Sequence, residues 1–353
     1  MNKIITVGID LAKNVFAVHG VDEAGKPALV KPKVAREQLH ELIAQLPPCI
    51  IGMEACSGAH HWARQFRAHG HTVRLMAPKF VTPYRMSGKR GKNDAADAAA
   101  ICEAVMRPAM RFVPVKEEHQ QIILCLHRTR NGFVEERTAT YNRLRGLVSE
   151  FGIVLPLKVT GLRRTIGDHL EDLPGYANQC VGDLLAHADR LDERVAEYDR
   201  LITQAARADA RSKRLMERPG RGPVTASALL ASIGGGHDFK NGRQVAAWIG
   251  LTPGQYSSGG KTRLGRITKA GDPYLRSLLV MGARALLSGL GDKRDGFSRW
   301  ARTLQERRGY WRAVVAIAAK NARLAWAVCG GFPSQAGHGL IHPDQKPSSG
   351  KAY

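Results

Sequence analysis

The sequence has no apolar run long enough to cross a bilayer, and its first residues do not read as a signal peptide. A soluble, cytoplasmic protein is therefore expected. Cysteine is scarce. The six thiols, Cys49, Cys56, Cys102, Cys125, Cys180 and Cys329, form no CxxC pair, which signals neither a zinc site nor a disulfide framework. Acid is short as well: Asp and Glu number 31 against 53 Lys and Arg, a formal net charge of +22 over 353 residues. An excess of that size points to a polyanionic partner, most simply nucleic acid. His60-His61 and His69-Gly70-His71 look like ligand pairs. Adjacent and i,i+2 imidazoles do not share a helix face, so these are read as surface or nucleic-acid-facing residues with no metal assigned.

What is present is organised around Gly91-Lys92-Asn93-Asp94-Ala95-Ala96-Asp97, which opens an alanine-rich run. Alanine propagates helix and Asn93 is a good N-cap. Asp94 and Asp97 then share one helix face at i,i+3, although acids at a helix N-terminus also satisfy the dipole alone. Two apolar strands end in further carboxylates, Val7-Gly8-Ile9-Asp10 and Ile50-Ile51-Gly52-Met53-Glu54. Asp10, Glu54, Asp94 and Asp97 together are the hard oxygen donors that Mg²⁺ prefers in a two-metal phosphodiester site. Strands are predicted over 3–10, 15–21, 28–34, 50–54 and 72–76, with helices over 36–46 and 57–70. Three strands in a meander, then alternating helix and strand, give an α/β fold of the RNase H-like pattern. The basic loop before the acidic helix, with Lys89, Arg90 and Lys92, is placed to bring a phosphate backbone to the carboxylates.

The remainder reads as α-helical. Two long amphipathic stretches, 117–151 and 179–214, flank a segment broken by Pro156, Gly161, Gly167, Pro174 and Gly175. They suggest an antiparallel helical hairpin, or an ordinary helical subdomain. Gly220-x-Gly222-x-x-x-Ala226 has the helix-hairpin-helix pattern, whose glycines let amides at a helix N-terminus approach a phosphate. A plain turn is the alternative. Further on, Ser257-Ser258-Gly259-Gly260 precedes Lys261, Arg263, Arg266 and Lys269. Glycines can hold a serine exposed and cations stabilise a phosphorane-like transition state, though a basic linker is the plainer reading. From Pro333 onward the composition predicts disorder.

These residues resemble the DEDD transposases of the insertion-sequence group numbered 110 and 1111, relatives of the Piv-type invertases. The resemblance is carried by Val7 through Lys13, Met53 through Gly58, Lys92 through Ala98, Gly250-Leu251-Thr252-Pro253, Ser257 through Lys261 and Ile267 through Asp272. It implies a RuvC-like domain (1–115), a helical or coiled-coil linker (116–212), a C-terminal transposase domain (213–332) and a tail (333–353). It also implies catalytic Asp10, Glu54, Asp94 and Asp97 with Mg²⁺, and a nucleophilic serine at Ser258 rather than Ser257. Donor and target DNA, a structured bridge RNA from the element and a dimer or tetramer of the chain are the implied partners, at the bacterial nucleoid. The family's Ser-Lys-x-Gly stands here as Thr268-Lys269-Ala270-Gly271. Two other readings stay open: a RuvC-like nuclease of branched DNA using water, and a non-catalytic nucleic-acid scaffold.

Overall fold

The computed structural model describes residues 3–85 and 93–330. Lys89, Arg90, Lys92 and the tail from 333 lie outside the described residues. The chain divides into two compact units, Met1–Glu118 and His119–Tyr353.

In the first unit β1 (Thr6–Asp10), β2 (Val15–Val21) and β3 (Pro27–Ala35) form an antiparallel meander. Then come α1 (Arg36–Ala44), β4 (Ile50–Glu54), α2 (Ala59–Ala68), β5 (Thr72–Met76), α3 (Pro78–Val81) with a short turn of 3₁₀ helix, α4 (Asp94–Val105) and β6 (Phe112–Val113). The sheet order is β3-β2-β1-β4-β5-β6, with β1, β4 and β5 parallel. Side chains alternate across a strand. Val7, Ile9, Ile51 and Met53 accordingly face one way and are fully buried with Leu39 and Ile43 of α1 and Phe66 of α2. Gly8, Asp10, Gly52 and Glu54 take the opposite face, where α4 lies.

That face is why the alanine run is there. A Cβ on Gly8 would stand 2.3 Å from the Ala98 carbonyl oxygen and 2.4 Å from the Cys102 amide. One on Gly52, the register partner of Gly8, would stand 2.8 Å from the Val105 Cβ. The two glycines let α4 lie backbone to backbone on the sheet. The short edge strand β6 was not expected; two residues carry no periodicity to read.

In the second unit α5 (Glu118–Ser149) and α7 (Tyr176–Ala208) run antiparallel, with Arg130 paired to Asp199 and Arg137 to Asp192. The connecting segment is not irregular throughout: it holds α6 (Val159–His169), whose Leu162 and Ile166 pack with Leu144, Val148 and Val181. Gly161 and Gly167 hide this helix in the sequence by lowering its propensity. The helical run expected to reach 214 breaks at Asp209, which is extended (φ −90°, ψ 121°) and caps α8 (Ala210–Met216) by accepting from the Arg211 and Ser212 amides. After α9 (Pro223–Ile233) and α10 (Gly242–Trp248), a two-stranded ribbon, β7 (Pro253–Gln255) and β8 (Leu264–Ile267), precedes α11 (Pro273–Ser288), α12 (Gly296–Arg308) and α13 (Tyr310–Cys329). Leu229, Ile249, Leu279 and Ile317 are fully buried among these helices. No helix among the described residues is long and apolar enough to cross a membrane.

Candidate active site

Parallel pairing of β1 and β4 aligns Ile9 with Met53, so Asp10 and Glu54 emerge side by side at the carboxyl ends of neighbouring strands. The Asn93 side chain accepts from the Ala95 amide at 3.0 Å and starts α4. Asp97 lies one turn in, 3% exposed, while Asp94 is exposed. The carboxylates feel one another. The Asp10 pKa is pushed up to about 6, first by burial and then by the negative charges of Asp97, Glu54 and Asp94. Sequence positions 10, 54, 94 and 97 therefore share one electrostatic site.

Arg85 completes that site, and sequence reasoning missed it. It follows the 3₁₀ turn Thr82–Tyr84 and reaches between two acids, with Nε 2.8 Å from Asp97 Oδ1 and Nη2 3.5 Å from Glu54 Oε1. Its charge counters the rise at Asp10. The basic character of 79–92 was legible; that one arginine turns inward was not. Among the described residues no three His, Cys, Asp or Glu side chains stand ready to hold a metal ion; the Arg85 guanidinium lies between Glu54 and Asp97. The donor set still fits a divalent cation: every acceptor is a hard oxygen, and a second positive charge would relieve the repulsion that raises Asp10.

Ser258 belongs to the other unit. Gln255 pairs with Leu264, the Tyr256 amide donates to the Arg263 carbonyl and Ser258 bridges Lys261, so the ribbon stays in register to its tip. Gly259 (φ 54°) and Gly260 (φ 76°) form the turn. Positive φ at both central positions is the type I′ pattern that glycine alone adopts freely. The two serines differ. Ser257 Oγ accepts from Gln255 Nε2 at 2.8 Å and from the Arg263 amide at 3.2 Å. Ser258 is exposed, and its hydroxyl has no hydrogen-bond partner among the described residues. Lys261, Arg263, Arg266 and Lys269 are all exposed on the same ribbon or at its base, with Tyr256 75% exposed among them.

The root of the ribbon is fixed. Arg276 Nη1 donates to the carbonyls of Ile249 and Ala270, each at 2.9 Å. Lys269 sits at φ 53°, and its amide donates to the Gly250 carbonyl. A Cβ on Gly250 would stand 2.3 Å from the Ala270 amide. Gly220 and Gly222 lie in the connection from α8 to α9, Gly220 at φ 77° and Gly222 as the N-cap of α9.

Two histidines depart from expectation or escaped it. His71 is not at the surface: it is 4% exposed, Nε2–H donates to the Ile43 carbonyl and Nδ1 accepts from the Cys49 amide. It fills the corner between α1 and β5. His127, 1% exposed, accepts at Nδ1 from the Tyr274 hydroxyl and donates from Nε2 to Ser227 Oγ, which itself donates to the Pro223 carbonyl. This ties α5 to α9 and α11, and burial with nearby Arg130 pushes the His127 pKa down to about 4.

Comparison with known proteins bears on both halves. Residues 7–153 match the DEDD transposase model of IS110-type elements, and residues 212–294 match the model described as "Transposase IS116/IS110/IS902 family". The chain is 45% identical over 327 residues to the "Probable family 20 transposase" of Pseudomonas aeruginosa, covering 91% of this chain and 96% of that protein. It is 40% identical over 340 residues to the transposase for insertion sequence element IS1111A of Coxiella burnetii, covering 93% and 90%. For the transposase of element IS1328 of Yersinia enterocolitica the identity is 38% over 330 residues, covering 93% and 97%.

Proposed function

From the premise that the chain belongs to the IS116/IS110/IS902 transposase family, we propose that it cuts and rejoins DNA with Ser258 as nucleophile and Asp10, Glu54, Asp94 and Asp97 as a Mg²⁺-binding cluster. The observation that carries the serine assignment is the contrast within the ribbon: the Ser257 hydroxyl is engaged in holding the ribbon, and the Ser258 hydroxyl is exposed with no hydrogen-bond partner among the described residues. In the step proposed, a bond forms from Ser258 Oγ to the scissile phosphorus as a phosphorus–oxygen bond to deoxyribose breaks. The hydroxyl proton passes to a base and the leaving oxygen takes one up. The covalent link keeps the bond energy for rejoining, so no high-energy cofactor is consumed. A serine hydroxyl is a weak nucleophile near neutral pH, and a base must reach it when substrate binds.

The strand order, with β2 antiparallel and carboxylates at the ends of β1 and β4, supports a RuvC-like reading of the first unit. Bound Mg²⁺ would polarise the phosphate and stabilise charge on the attacking and leaving oxygens. Before that, Asp10 and Glu54 hold their oxygens at adjacent strand ends, α4 presents Asp97, and Arg85 screens their repulsion. Lys261, Arg263, Arg266 and Lys269 are proposed to grip the DNA backbone, together with Gly220 and Gly222 in a helix-hairpin-helix and with Lys89, Arg90 and Lys92, which precede α4 in the sequence. A structured RNA from the element is the second partner proposed, and the net charge of +22 supports a polyanionic load. Three functional parts are proposed along the chain: acidic domain, helical linker and serine domain. The linker is also the proposed contact between copies, because Val154 (86%), Leu157 (90%) and Tyr176 (85%) are exposed at one end of the α5–α7 hairpin.

A denaturing gel of end-labelled element DNA with wild type, Ser258→Ala and Ser257→Ala tests the chemistry. Wild type should give a protein–DNA adduct that survives denaturant, and Ser258→Ala should give none. Cleavage that persists in Ser258→Ala, with no adduct from wild type, would make water the nucleophile and the chain a RuvC-like nuclease.

A further inference from the structure

Arg221 stands between the two glycines of the α8–α9 connection and is 3% exposed. Among the described residues its buried Nε and Nη1 have no hydrogen-bond partner and no carboxylate pairs with it. Burial, with Arg218 adding repulsion, pushes its pKa down to about 10. A buried charge without a partner is costly, and the backbone enforces this one. Gly220 crosses α11 so closely that a Cβ on Gly282 would stand 2.1 Å from the Gly220 carbonyl oxygen. The turn cannot relax outward and release the side chain without losing that crossing.

Arg221 is one of the residues that line an open cavity of about 440 Å³. Arg218 and Lys293 bring two more cations to it, both exposed, against one acid, the exposed Glu217. Thr225, in the first turn of α9, lines it too. That helix is 11 residues long, begins Gly222-Pro223 and has no side-chain cap, so its first amides and the positive end of its dipole face the same region.

We propose that this cavity is a phosphate site in which Arg221 is the buried ligand, Lys293 and Arg218 form the cationic rim, and the occupant is a backbone phosphate of bound DNA. This rests on the reading of the chain as a DNA-rearranging protein. It goes beyond the hairpin glycines, because the anchor is a guanidinium already desolvated before the anion arrives. Such a group forms charge-assisted hydrogen bonds without shedding water first.

The test uses the full chain, a short labelled duplex and inorganic phosphate. Arg221→Met keeps the aliphatic volume and removes the charge. It should weaken duplex binding about tenfold and reduce the salt slope by about one, whereas Lys293→Ala should weaken binding less. Inorganic phosphate, at matched ionic strength with chloride, should raise the Tm of wild type but not of Arg221→Met, and should compete with the duplex. Arg221→Met that binds duplex with wild-type affinity and slope overturns the proposal. Phosphate that stabilises wild type without competing with duplex overturns the backbone source and assigns the cavity to a free oxyanion. Should Arg221→Met fail to fold, the wild-type arm decides alone: no rise in Tm over chloride overturns the site. A wild type that binds and cleaves DNA while Arg221→Met matches it sinks this proposal only. A wild type that binds no duplex yet is stabilised by phosphate removes the DNA reading and the backbone source with it.

Discussion

The carboxylates at the site repel one another, and that sets what each substitution does. Burial and three negative neighbours hold Asp10 protonated up to about 6, so the ionised form at neutral pH costs the fold free energy. Asp10→Asn should therefore abolish DNA cleavage while leaving the Tm equal to or above wild type. A thermal melt and a nicking assay on one preparation check both halves, and a Tm falling with activity would make Asp10 a structural residue. Arg85 predicts the opposite sign. Arg85→Ala leaves Glu54 and Asp97 without their shared cation and should lower the Tm, with Mg²⁺ restoring more of the loss than it adds to wild type. In the serine pair, Ser257→Ala removes an acceptor for the Arg263 amide and Gln255 and should reduce strand exchange only several-fold. The acids were legible as strand and helix ends in the sequence. Arg85 was not, because nothing in a basic stretch tells which cation turns toward the acids.

Helix α4 seats on the sheet through two glycines, and their neighbours differ. Gly8→Ala pushes into the backbone at Ala98 and Cys102, whereas Gly52→Ala meets the Val105 side chain. Urea unfolding should show Gly8→Ala losing roughly 2–3 kcal/mol, near the upper end for overpacking, and Gly52→Ala about 1 kcal/mol. Gly132, exposed in α5 with nothing within 4 Å of a Cβ, should do the reverse. Gly132→Ala is expected to stabilise by about 0.5–1 kcal/mol through helix propensity. His127 gives the second unit a pH dependence. Its pKa is lowered to about 4 in the fold, so the unfolded chain binds the proton more readily between there and the ordinary histidine value. Stability is fully present above that window and falls with pH through it, by about 2 kcal/mol from pH 7 to pH 5. His127→Leu should flatten that slope when the two proteins are unfolded in urea at both pH values. Strands β4 and β5 were legible to the residue because Pro48, Gly70 and the apolar runs bracket them. Helix α6 was not, since its glycines imitate a loop and only packing against Leu144 and Val181 makes it a helix.

Over the whole molecule the charge of +22 makes affinity for nucleic acid a function of salt. Binding of duplex or RNA should fall steeply, by one or more orders of magnitude between low and physiological salt, and a flat titration would argue against phosphate-dominated contact. The exposed hairpin end carries its own expectation: Leu157→Glu with Val154→Glu should shift the chain to smaller species in sedimentation without changing its far-UV spectrum. The family was legible because each half of the chain keeps its short motifs together. The buried arginine of the α8–α9 turn and the imidazole of α5 were invisible, since each acquires its role from residues far along the chain, Tyr274 lying 147 positions beyond His127. The serine ribbon has a mechanical consequence. It pairs with no third strand among the described residues, so its direction is set where Arg276, Gly250 and Lys269 clamp its base. From Pro253 to Ser258 it extends about 17 Å at about 3.4 Å per residue. On an arm of that length a tilt of about 10° at the clamp carries the hydroxyl roughly 3 Å, and displacements of 1 Å already cost about a hundredfold in rate. With Ser258 in its proposed role, its aim is set at the base of the ribbon, and Arg276→Met should lose turnover while keeping its grip on DNA.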